Sequence, residues 1–164
     1  MYDPIKYWSE RTNPISRETP QWAQDYIKKH IVGNDILDYG PGEGDNFHLF
    51  KGYRVTGLDI VETYKQKALE RAKELDLDYT HITGDLSMID DYSFDTVVCS
   101  KVLLHVPYSE IGDVIRELER ISGRIVVWDI YEGGPADHVF YHGFEKYLPM
   151  NDVIIREKQI LFWS

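Results

Sequence analysis

The residues with the clearest chemical meaning are three glycines at alternate positions, Gly40, Gly42 and Gly44. Glycine adopts backbone angles that other residues avoid, and without a side chain it lets the main chain approach a ligand closely. The segment directly before them, Ile36-Leu37-Asp38-Tyr39, has the apolar start and acidic end of a buried strand. In doubly wound α/β sheets, a strand followed by such a turn and a helix forms a ligand crevice at the carboxyl ends of the strands. We therefore expect a ligand site at this turn.

The residues around the glycines indicate which ligand the turn accepts. A phosphate-binding P-loop needs a lysine and a hydroxyl residue after its last glycine, and this chain has Asp45 and Asn46 there. The dinucleotide fingerprint Gly-x-Gly-x-x-Gly needs a glycine at the position of Asp45. Glu43 and Asp45 would repel a phosphate, unless they only stabilise the N-terminus of the next helix through its dipole. The turn favours a cationic or zwitterionic ligand.

The elements that position this turn are strands alternating with helices. Such alternation, with β-branched residues in the strands, calls for a parallel sheet covered on both faces. The predicted fold class is therefore α/β, a doubly wound and mostly parallel seven-stranded sheet with a compact C-terminal hairpin. The C-terminal strands are 153–156 and 160–163, although one long strand fits nearly as well. The other predicted strands are 35–39, 53–58, 79–82, 96–99 and 125–128. The predicted helices are 19–32, 46–51, 62–75, 109–121 and an aromatic-rich 137–147. Thr19 is expected to cap the first of these helices, and Ser109 to open the fourth.

Size, charge and cysteine content restrict the protein class. A chain of 164 residues is one domain by the usual range of roughly 100–200 residues. We divide it into an N-terminal lid segment without helical or strand periodicity (1–18), a cofactor-binding core (19–131) and a substrate-side C-terminal part (132–164). The formal net charge of -10 argues against a nucleic-acid partner, because phosphate binding relies on lysine and arginine. The single Cys99 and the absence of a signal peptide or membrane-length apolar run favour a cytoplasmic protein without a membrane partner.

Three acids at strand ends complete a family pattern. Asp38 precedes the glycines, Asp59 ends the second predicted strand, and Asp85 follows the third. This order resembles the class I (Rossmann-like) methyltransferases, which use S-adenosylmethionine and release S-adenosylhomocysteine. The resemblance extends over about residues 33–131, and two further segments look like those of the small-molecule branch of that family: 102–106 after the fourth strand and 121–124 before the fifth.

The resemblance implies contacts with S-adenosylmethionine. Asp59 would hold the two ribose hydroxyls, because a carboxylate can accept hydrogen bonds from both hydroxyls of a vicinal diol. Asp85 would accept from the adenine amino group, and Asp38 would act on the methionine amino group directly or through water. A single such acid is more often only a turn or cap residue. The complete predicted cofactor set is Asp38, Tyr39, Gly40, Pro41, Gly42, Gly44, Asp59, Ile60, Asp85, Leu86 and Ser100.

Candidates for the acceptor side follow the fourth and fifth strands. His105 lies just past the fourth strand and is the candidate general base, since histidine titrates near neutral pH; a histidine that only packs locally is the alternative. The resemblance also implies that Tyr7, Trp8 and Arg11 form a lid over the methionine carboxylate, with plain packing of the two aromatic residues as the alternative. It further implies substrate contacts after the fifth strand. His138 and His142 have the helical spacing of a metal pair, but no third ligand is near and no metal site is predicted. The predicted substrate residues are Tyr7, Trp8, Asp129, Tyr131 and His142.

The segment after the fourth strand narrows the acceptor class. It reads Cys99-Ser100-Lys101, which lacks the Asn/Asp-Pro-Pro-aromatic run of amino-methylating DNA enzymes. No Pro-Cys nucleophile for cytosine methylation is present, and the acids of a magnesium-dependent catechol site are not evident. We predict an enzyme that moves a methyl group from S-adenosylmethionine to a small molecule by in-line displacement. The alternatives are a catalytically silent nucleoside-binding module in an assembly and an NAD-dependent oxidoreductase, and a homodimer could complete the substrate site.

Overall fold

The computed structural model describes residues 2–11, 19–134 and 136–164. Five parallel strands form most of one sheet: β1 (Asp35–Tyr39), β2 (Arg54–Asp59), β3 (Asp78–Thr83), β4 (Thr96–Ser100) and β5 (Ile125–Ile130). Two antiparallel strands complete it, β6 (Asn151–Arg156) and β7 (Gln159–Trp163), and the order is β3-β2-β1-β4-β5-β7-β6. The strand order reverses between β1 and β4, the place where open α/β sheets bind ligands.

Helices cover both faces of this sheet. Helix α2 (Gln21–His30) and helix α3 (Lys65–Glu74) bury their apolar sides in one core layer, together with a 3-10 turn, Phe47–Phe50. Helix α4 (Ile111–Ile121) buries four apolar residues in the layer on the other face. The α/β, doubly wound, mostly parallel fold predicted from the sequence is confirmed. No helix in the described ranges is long and apolar enough to cross a membrane.

The C-terminal hairpin is confirmed in preference to a single strand. Glu157 and Lys158 form its two-residue loop, with φ angles of 51° and 66°. Two residues with positive φ are typical of the type I′ turn, whose twist matches that of the flanking strands. β7 lies against β5 and places the hairpin at the edge of the sheet opposite β3.

Three helix predictions need correction. Thr19 does not cap α2: Pro20 is the N-cap, and the Thr19 hydroxyl bonds the Asn46 side chain. Glu110, and not Ser109, precedes α4. Residues 137–147 form no α-helix and contain only a 3-10 turn at Phe144–Lys146. Tertiary contacts outweigh helix formation there, because the Phe140 N–H donates to the Leu104 carbonyl at 2.7 Å and the Phe140 ring packs on Tyr108.

The N-terminal segment also differs from its prediction. A helix, α1, spans Pro4–Ser9. Asp3 caps it by accepting the Lys6 N–H at 3.0 Å, and a proline stands at its start, as at many helix N-termini. Six residues are too few to produce a visible helical period, which is why the sequence did not predict it. Residues 12–18 of the predicted lid segment lie outside the described residues.

Candidate active site

A cavity of about 990 Å³ opens at the carboxyl ends of the central parallel strands. Its volume is at the upper end of the 300–1,000 Å³ range usual for small-molecule sites. Eleven of the predicted residues line this one cavity: Trp8, Tyr39, Gly40, Pro41, Gly42, Asp59, Ile60, Asp85, Leu86, Ser100 and His105. The structure therefore brings the glycine turn, the strand-end acids Asp59 and Asp85, and His105 together at one cavity.

The glycine turn after β1 lies against the end of β2, because the Gly40 N–H donates to the Leu58 carbonyl at 2.9 Å. Gly40, Gly42 and Gly44 all have positive φ angles, of 72°, 55° and 89°. A Cβ at Gly40 would lie 2.4 Å from Val102 Cγ2, and one at Gly44 would lie 2.6 Å from the Phe47 ring. At Gly42 a Cβ would meet nothing within 4 Å. Gly40 and Gly44 are thus required by packing, whereas Gly42 leaves open space on the cavity wall.

Asp59 ends β2 directly beside this turn and is buried. Its Oδ2 accepts the Gly42 N–H at 3.1 Å, and its Oδ1 accepts the Val61 N–H at 3.0 Å. Burial raises the pKa of Asp59, and the backbone N–H donors act in the opposite direction. Each carboxylate oxygen has a second lone pair that can accept a further hydrogen bond. The carboxylate is held in one orientation while it remains able to bind a diol.

Asp38 lies beneath the turn and does not line the cavity. Burial, with a contribution from the nearby Asp59, raises the pKa of Asp38 to about 7. Any effect of this acid on a bound ligand is therefore indirect. Gly44 likewise lies outside the lining, where it makes room for Phe47.

Asp85 and Ser100 present polar groups at two other strand ends. Asp85 Oδ1 accepts the backbone N–H of Ser87 at 2.9 Å and its hydroxyl at 2.5 Å, and these bonds lower the pKa of Asp85. Both bonds use Oδ1 and leave Oδ2 to accept another. The Ser100 hydroxyl oxygen is buried and has no hydrogen-bond partner among the described residues. A buried polar atom without a partner is unfavourable, so Ser100 fits a bound polar ligand.

His105 lies in a 3-10 turn, Leu103–His105, on another side of the cavity. Its Nδ1 is 2.8 Å from the carbonyl oxygen of His138. A carbonyl only accepts hydrogen bonds, so Nδ1 carries the proton and Nε2 keeps a free lone pair. Burial lowers the pKa of His105 to about 4. The imidazole is therefore neutral at physiological pH.

Helix α1 covers the cavity beside His105. The Trp8 ring meets the His105 ring edge-on at 4.5 Å, and the Trp8 carbonyl accepts the Tyr64 hydroxyl at 3.0 Å. Arg11, which also lines the cavity, lies 5.0 Å from the Trp8 ring. Tyr7 stands behind the lining and stacks on His138 at 4.4 Å. The aromatic residues of α1 hold the helix over the cavity.

Besides Tyr7, three more of the predicted substrate residues do not line the cavity. Asp129 is fully buried, and its two oxygens accept the backbone N–H groups of Leu104 at 3.0 Å and Ile130 at 2.8 Å. His142 is buried too, with Nε2 at 3.0 Å from the carbonyls of Leu103 and Val106. Tyr131 lies beyond the end of β5, which pairing with β7 extends to Ile130. Asp129 and His142 instead fix the turn that carries His105.

Burial raises the pKa of Asp129 to about 7 and lowers the pKa of His142. His138 lines the cavity but lies in no helix with His142. Within the described ranges, no three His, Cys, Asp or Glu side chains are grouped to hold a metal ion.

Further residues of the cavity wall were not among the predicted site residues. These residues belong to the segment after β4, to α4 and the residues before it, and to β5, and one of them, Val102, lies against Gly40 of the glycine turn. The family resemblance points to the segment 102–106, whereas only tertiary packing brings the residues of α4 and β5 to the site. The main ones are Val102, Leu104, Val106, Pro107, Glu110, Val114, Glu117, Trp128 and Ile130.

Comparisons with known proteins agree with this geometry. Residues 37–125, more than half of the chain, match a family model described as a methyltransferase domain. A structure of an S-adenosylmethionine-dependent methyltransferase from Aquifex aeolicus is similar, with a TM-score of 0.73, 17% identity, and coverage of 99% of this chain and 98% of that chain. The PH0226 protein from Pyrococcus horikoshii OT3 has a TM-score of 0.73 and 19% identity, with 85% of each chain covered.

A third similar structure is magnesium protoporphyrin IX methyltransferase (ChlM) from Synechocystis PCC 6803 with bound S-adenosylhomocysteine. Its TM-score is 0.69 at 20% identity, and the match covers 87% of this chain and 81% of that chain. At these identities the likeness to solved structures concerns the fold. No curated protein matches the chain by sequence.

Proposed function

Since this chain belongs to the methyltransferase domain family and uses S-adenosylmethionine as its methyl donor, we propose that its methyl acceptor is a small molecule. The acceptor would bind between helix α1 and the His105 turn. The observation that carries the proposal is a single cavity with two different sides. One side has the glycine turn and strand-end acids, and the other has Trp8, His105 and His138 beneath a covering helix.

The residues of the first side fit the cofactor. Asp59 would bind the ribose hydroxyls with the lone pairs that its two backbone donors leave free. Asp85 Oδ2 would accept from the adenine amino group, and the open space at Gly42 would admit the methionine part. Ser100 would use its unpaired hydroxyl on the same ligand. When bound, S-adenosylmethionine supplies an electrophilic methyl group on a sulfonium centre.

His105 would accept the proton that the acceptor loses. Its lone pair is at Nε2, because Nδ1 is bonded to the His138 carbonyl. A pKa of about 4 makes His105 a weak base. A hydroxyl or amine becomes strongly acidic as its oxygen or nitrogen bonds to the methyl carbon, so a weak base in the correct position is sufficient. Asp129 acts as a positioning residue by holding the Leu104 N–H next to it.

The packing of helix α1 over the acceptor side favours a small substrate. Trp8, His105, His138 and Val139 line it, and α1 lies over them. Holding donor and acceptor in line within such a site is the main source of rate in a displacement reaction. The chain carries a formal charge of -10, which disfavours a polyanionic acceptor. Among the structural relatives, ChlM methylates magnesium protoporphyrin IX, which is also a small molecule.

The test is a transfer assay with S-adenosylmethionine labelled in the methyl group. The full chain would be incubated with pools of small molecules that offer hydroxyl, amine or activated carbon acceptors, and separately with protein and nucleic-acid mixtures. We expect label and stoichiometric S-adenosylhomocysteine only with a small-molecule pool. Label in the macromolecular fractions alone, or cofactor binding without turnover in any pool, would contradict the proposal.

A further inference from the structure

Lys101 has a strained backbone at the carboxyl end of β4. It directly follows Ser100, the last residue of that strand, and it lines the cavity with a φ angle of 55°. A positive φ is uncommon for residues other than glycine, asparagine and aspartate, and such strain is concentrated at functional sites. The Lys101 N–H donates to the Trp128 carbonyl at 2.7 Å, which fixes the strained residue to β5. The position therefore calls for a functional reason for a lysine.

The Lys101 ammonium lies over the aromatic ring of Trp128, with Nζ 4.0 Å from the ring centroid. Trp128 belongs to β5, whereas the glycine turn, Asp59 and Asp85 end or follow β1, β2 and β3. In the sheet, β4 separates β5 from all three of those strands. The ammonium therefore lies on the β5 side of the cavity, away from the strand ends that fit the cofactor.

The acids of α4 approach the cavity from the other face of the sheet. Trp128 packs in the core layer that contains α2 and α3, whereas α4 buries its apolar side in the opposite layer. The acids in or directly before α4 therefore lie on the α4 side of the cavity, and the Lys101 ammonium lies on the α2 side. These acids are Glu110, Asp113 and Glu117.

Two further acids bond to groups of the protein. Asp129 interacts electrostatically with Lys101, but its two oxygens accept backbone N–H groups inside the protein. Glu43 of the glycine turn is bonded to Lys67 of α3 at 2.5 Å. An ammonium has three N–H donors, so Lys101 can bind an anion in addition to its contacts with the protein.

Arg11 adds a second positive charge to the acceptor side. Its guanidinium lies 5.0 Å from the Trp8 ring, and its charge acts on both His105 and His138. The cofactor brings a sulfonium charge as well, and its single carboxylate cannot balance all of these. An anionic acceptor is complementary to such a site, and a cationic one is not. The net charge of -10 does not oppose a single anion here, because surface charges are screened beyond about 8 Å at physiological ionic strength.

We propose that Lys101 determines acceptor specificity by binding a carboxylate of the small molecule that receives the methyl group. This inference rests on the proposed function, in which His105 accepts the proton of the reacting hydroxyl or amine. Lys101 and His105 stand at the two ends of segment 101–105, so the acceptor would be held by its carboxylate at one end and deprotonated at the other. Its apolar part would contact Trp128 and Ile130, which also line the cavity.

The transfer assay tests this assignment with matched acceptors. The pools would contain hydroxy and amino carboxylic acids and, separately, the uncharged primary amides of the same compounds. Wild type should prefer the acids by about tenfold or more in kcat/KM, the usual contribution of a hydrogen bond to a charged group. Lys101→Met should raise the KM for the acid by a similar factor, and Lys101→Arg should restore most of the affinity, because arginine also binds carboxylates.

Lys158→Met is the matched control. Lys158 also has a positive φ, of 66°, but it is exposed and lies outside the cavity, so its substitution should leave the KM unchanged. Equal use of acids and amides, or an unchanged KM in Lys101→Met, would overturn the proposal while the proposed function stands. Transfer to proteins or nucleic acids alone would contradict both.

Calorimetric titration separates the acceptor from the cofactor as the source of the carboxylate. S-adenosylhomocysteine contains the methionine carboxylate, whereas methylthioadenosine lacks it. Lys101→Met should bind both ligands within about twofold of wild type, which also shows that the variant is folded. A loss of about tenfold in affinity for S-adenosylhomocysteine alone, roughly one charge-assisted hydrogen bond, would assign the ammonium to the methionine part and overturn the proposal.

Discussion

The N–H of Gly42 donates to Oδ2 of Asp59 over 3.1 Å. This bond joins the turn after β1 to the end of β2, and Gly40 adds a second link between the same elements through the Leu58 carbonyl. The glycine turn and the acid therefore have a fixed relative position before any ligand binds. Preorganised polar groups of this kind cost little reorganisation when a ligand binds.

The first prediction concerns the open space at Gly42. We expect Gly42→Ala to weaken S-adenosylmethionine binding at least tenfold, because the new methyl group projects into the cavity that the cofactor has to fill. The fold should lose only about 1 kcal/mol, the strain of a non-glycine residue at positive φ. Calorimetry and chemical denaturation would measure the two effects.

Gly52→Ala is the matched control for Gly42→Ala. Gly52 also has a positive φ, of 94°, and a Cβ there would meet nothing within 4 Å, but it does not line the cavity. Its substitution should cost a similar free energy of unfolding and leave cofactor affinity unchanged. Equal loss of affinity in both variants would show that the turn does not contact the cofactor.

The second prediction concerns His105. His105→Gln should lower kcat by roughly 10²–10⁴-fold, the usual contribution of a general base, for an oxygen or nitrogen acceptor. Cofactor affinity should stay within about twofold of wild type, because an uncharged polar side chain of similar size remains. The matched control is His48→Gln, an exposed histidine outside the cavity. An unchanged kcat in His105→Gln would assign this residue to packing alone.

The pH dependence of the reaction gives an independent check on His105. Burial lowers its pKa to about 4, so the basic form predominates throughout the neutral range. The activity of wild type should not fall between pH 8 and pH 6 through titration of this group. A loss of kcat with an apparent pKa near 6.5, absent from His105→Gln, would contradict the neutral buried state of His105.

The sequence predicted the sheet well, and nine of the eleven cofactor candidates line the cavity, because the signals of these features are local. A buried apolar run that leads into Gly40, or that ends at Asp59, identifies both the strand and the carboxyl end at which the polar residue lies. The acceptor side depends on contacts between distant segments. The carbonyl of His138 that fixes the His105 tautomer is 33 residues away in the chain, and no pattern around either histidine reveals that contact.

Asp129 shows the same difference at a single residue. Its place at the end of β5 suggested a substrate contact. Its orientation became clear only with the fold, in which it accepts two backbone N–H groups inside the protein. The helix α1 was missed for a different reason, because six residues contain fewer than two turns.

The third prediction concerns Asp38, whose pKa burial raises to about 7. Because the pKa is higher in the folded chain than the unfolded value of 3.8, stability from this group is complete below about pH 4 and is lost as the pH rises to 7. Asp38→Asn removes this titration. The free energy of unfolding of the variant, relative to wild type, should rise by roughly 2–3 kcal/mol between pH 5 and pH 8, at about 1.4 kcal/mol per pKa unit.

Urea denaturation at several pH values would measure this change. Asp85→Asn is the control, because hydrogen bonds from Ser87 lower the pKa of Asp85 and its titration lies below this range. The difference between that variant and wild type should stay constant from pH 5 to pH 8. A constant difference for Asp38→Asn as well would mean that Asp38 is ionised in the folded chain.

The fourth prediction concerns the position of α1. Tyr64→Phe removes the hydroxyl that donates to the Trp8 carbonyl at 3.0 Å. Loss of one hydrogen bond, worth about 1 kcal/mol, should increase the dissociation rate of cofactor or acceptor several-fold. Stopped-flow tryptophan fluorescence would measure the rate, because Trp8 and Trp128 line the cavity, and Tyr92→Phe, which changes an exposed tyrosine outside the cavity, is the control. Equal dissociation rates in all three proteins would show that α1 does not retain the ligands.

Calorimetric titration with S-adenosylmethionine, S-adenosylhomocysteine and NAD tests the central claim most directly. Wild type should bind both adenosyl ligands with micromolar dissociation constants and should not bind NAD. Asp59→Asn should bind them about 100-fold more weakly, a loss of about 2.7 kcal/mol, because the charged acceptor of the ribose hydroxyls is gone. Asp78→Asn, at the opposite end of the neighbouring β3, should bind as wild type does. Binding of NAD alone, or adenosyl binding that is the same in Asp59→Asn, would contradict the account.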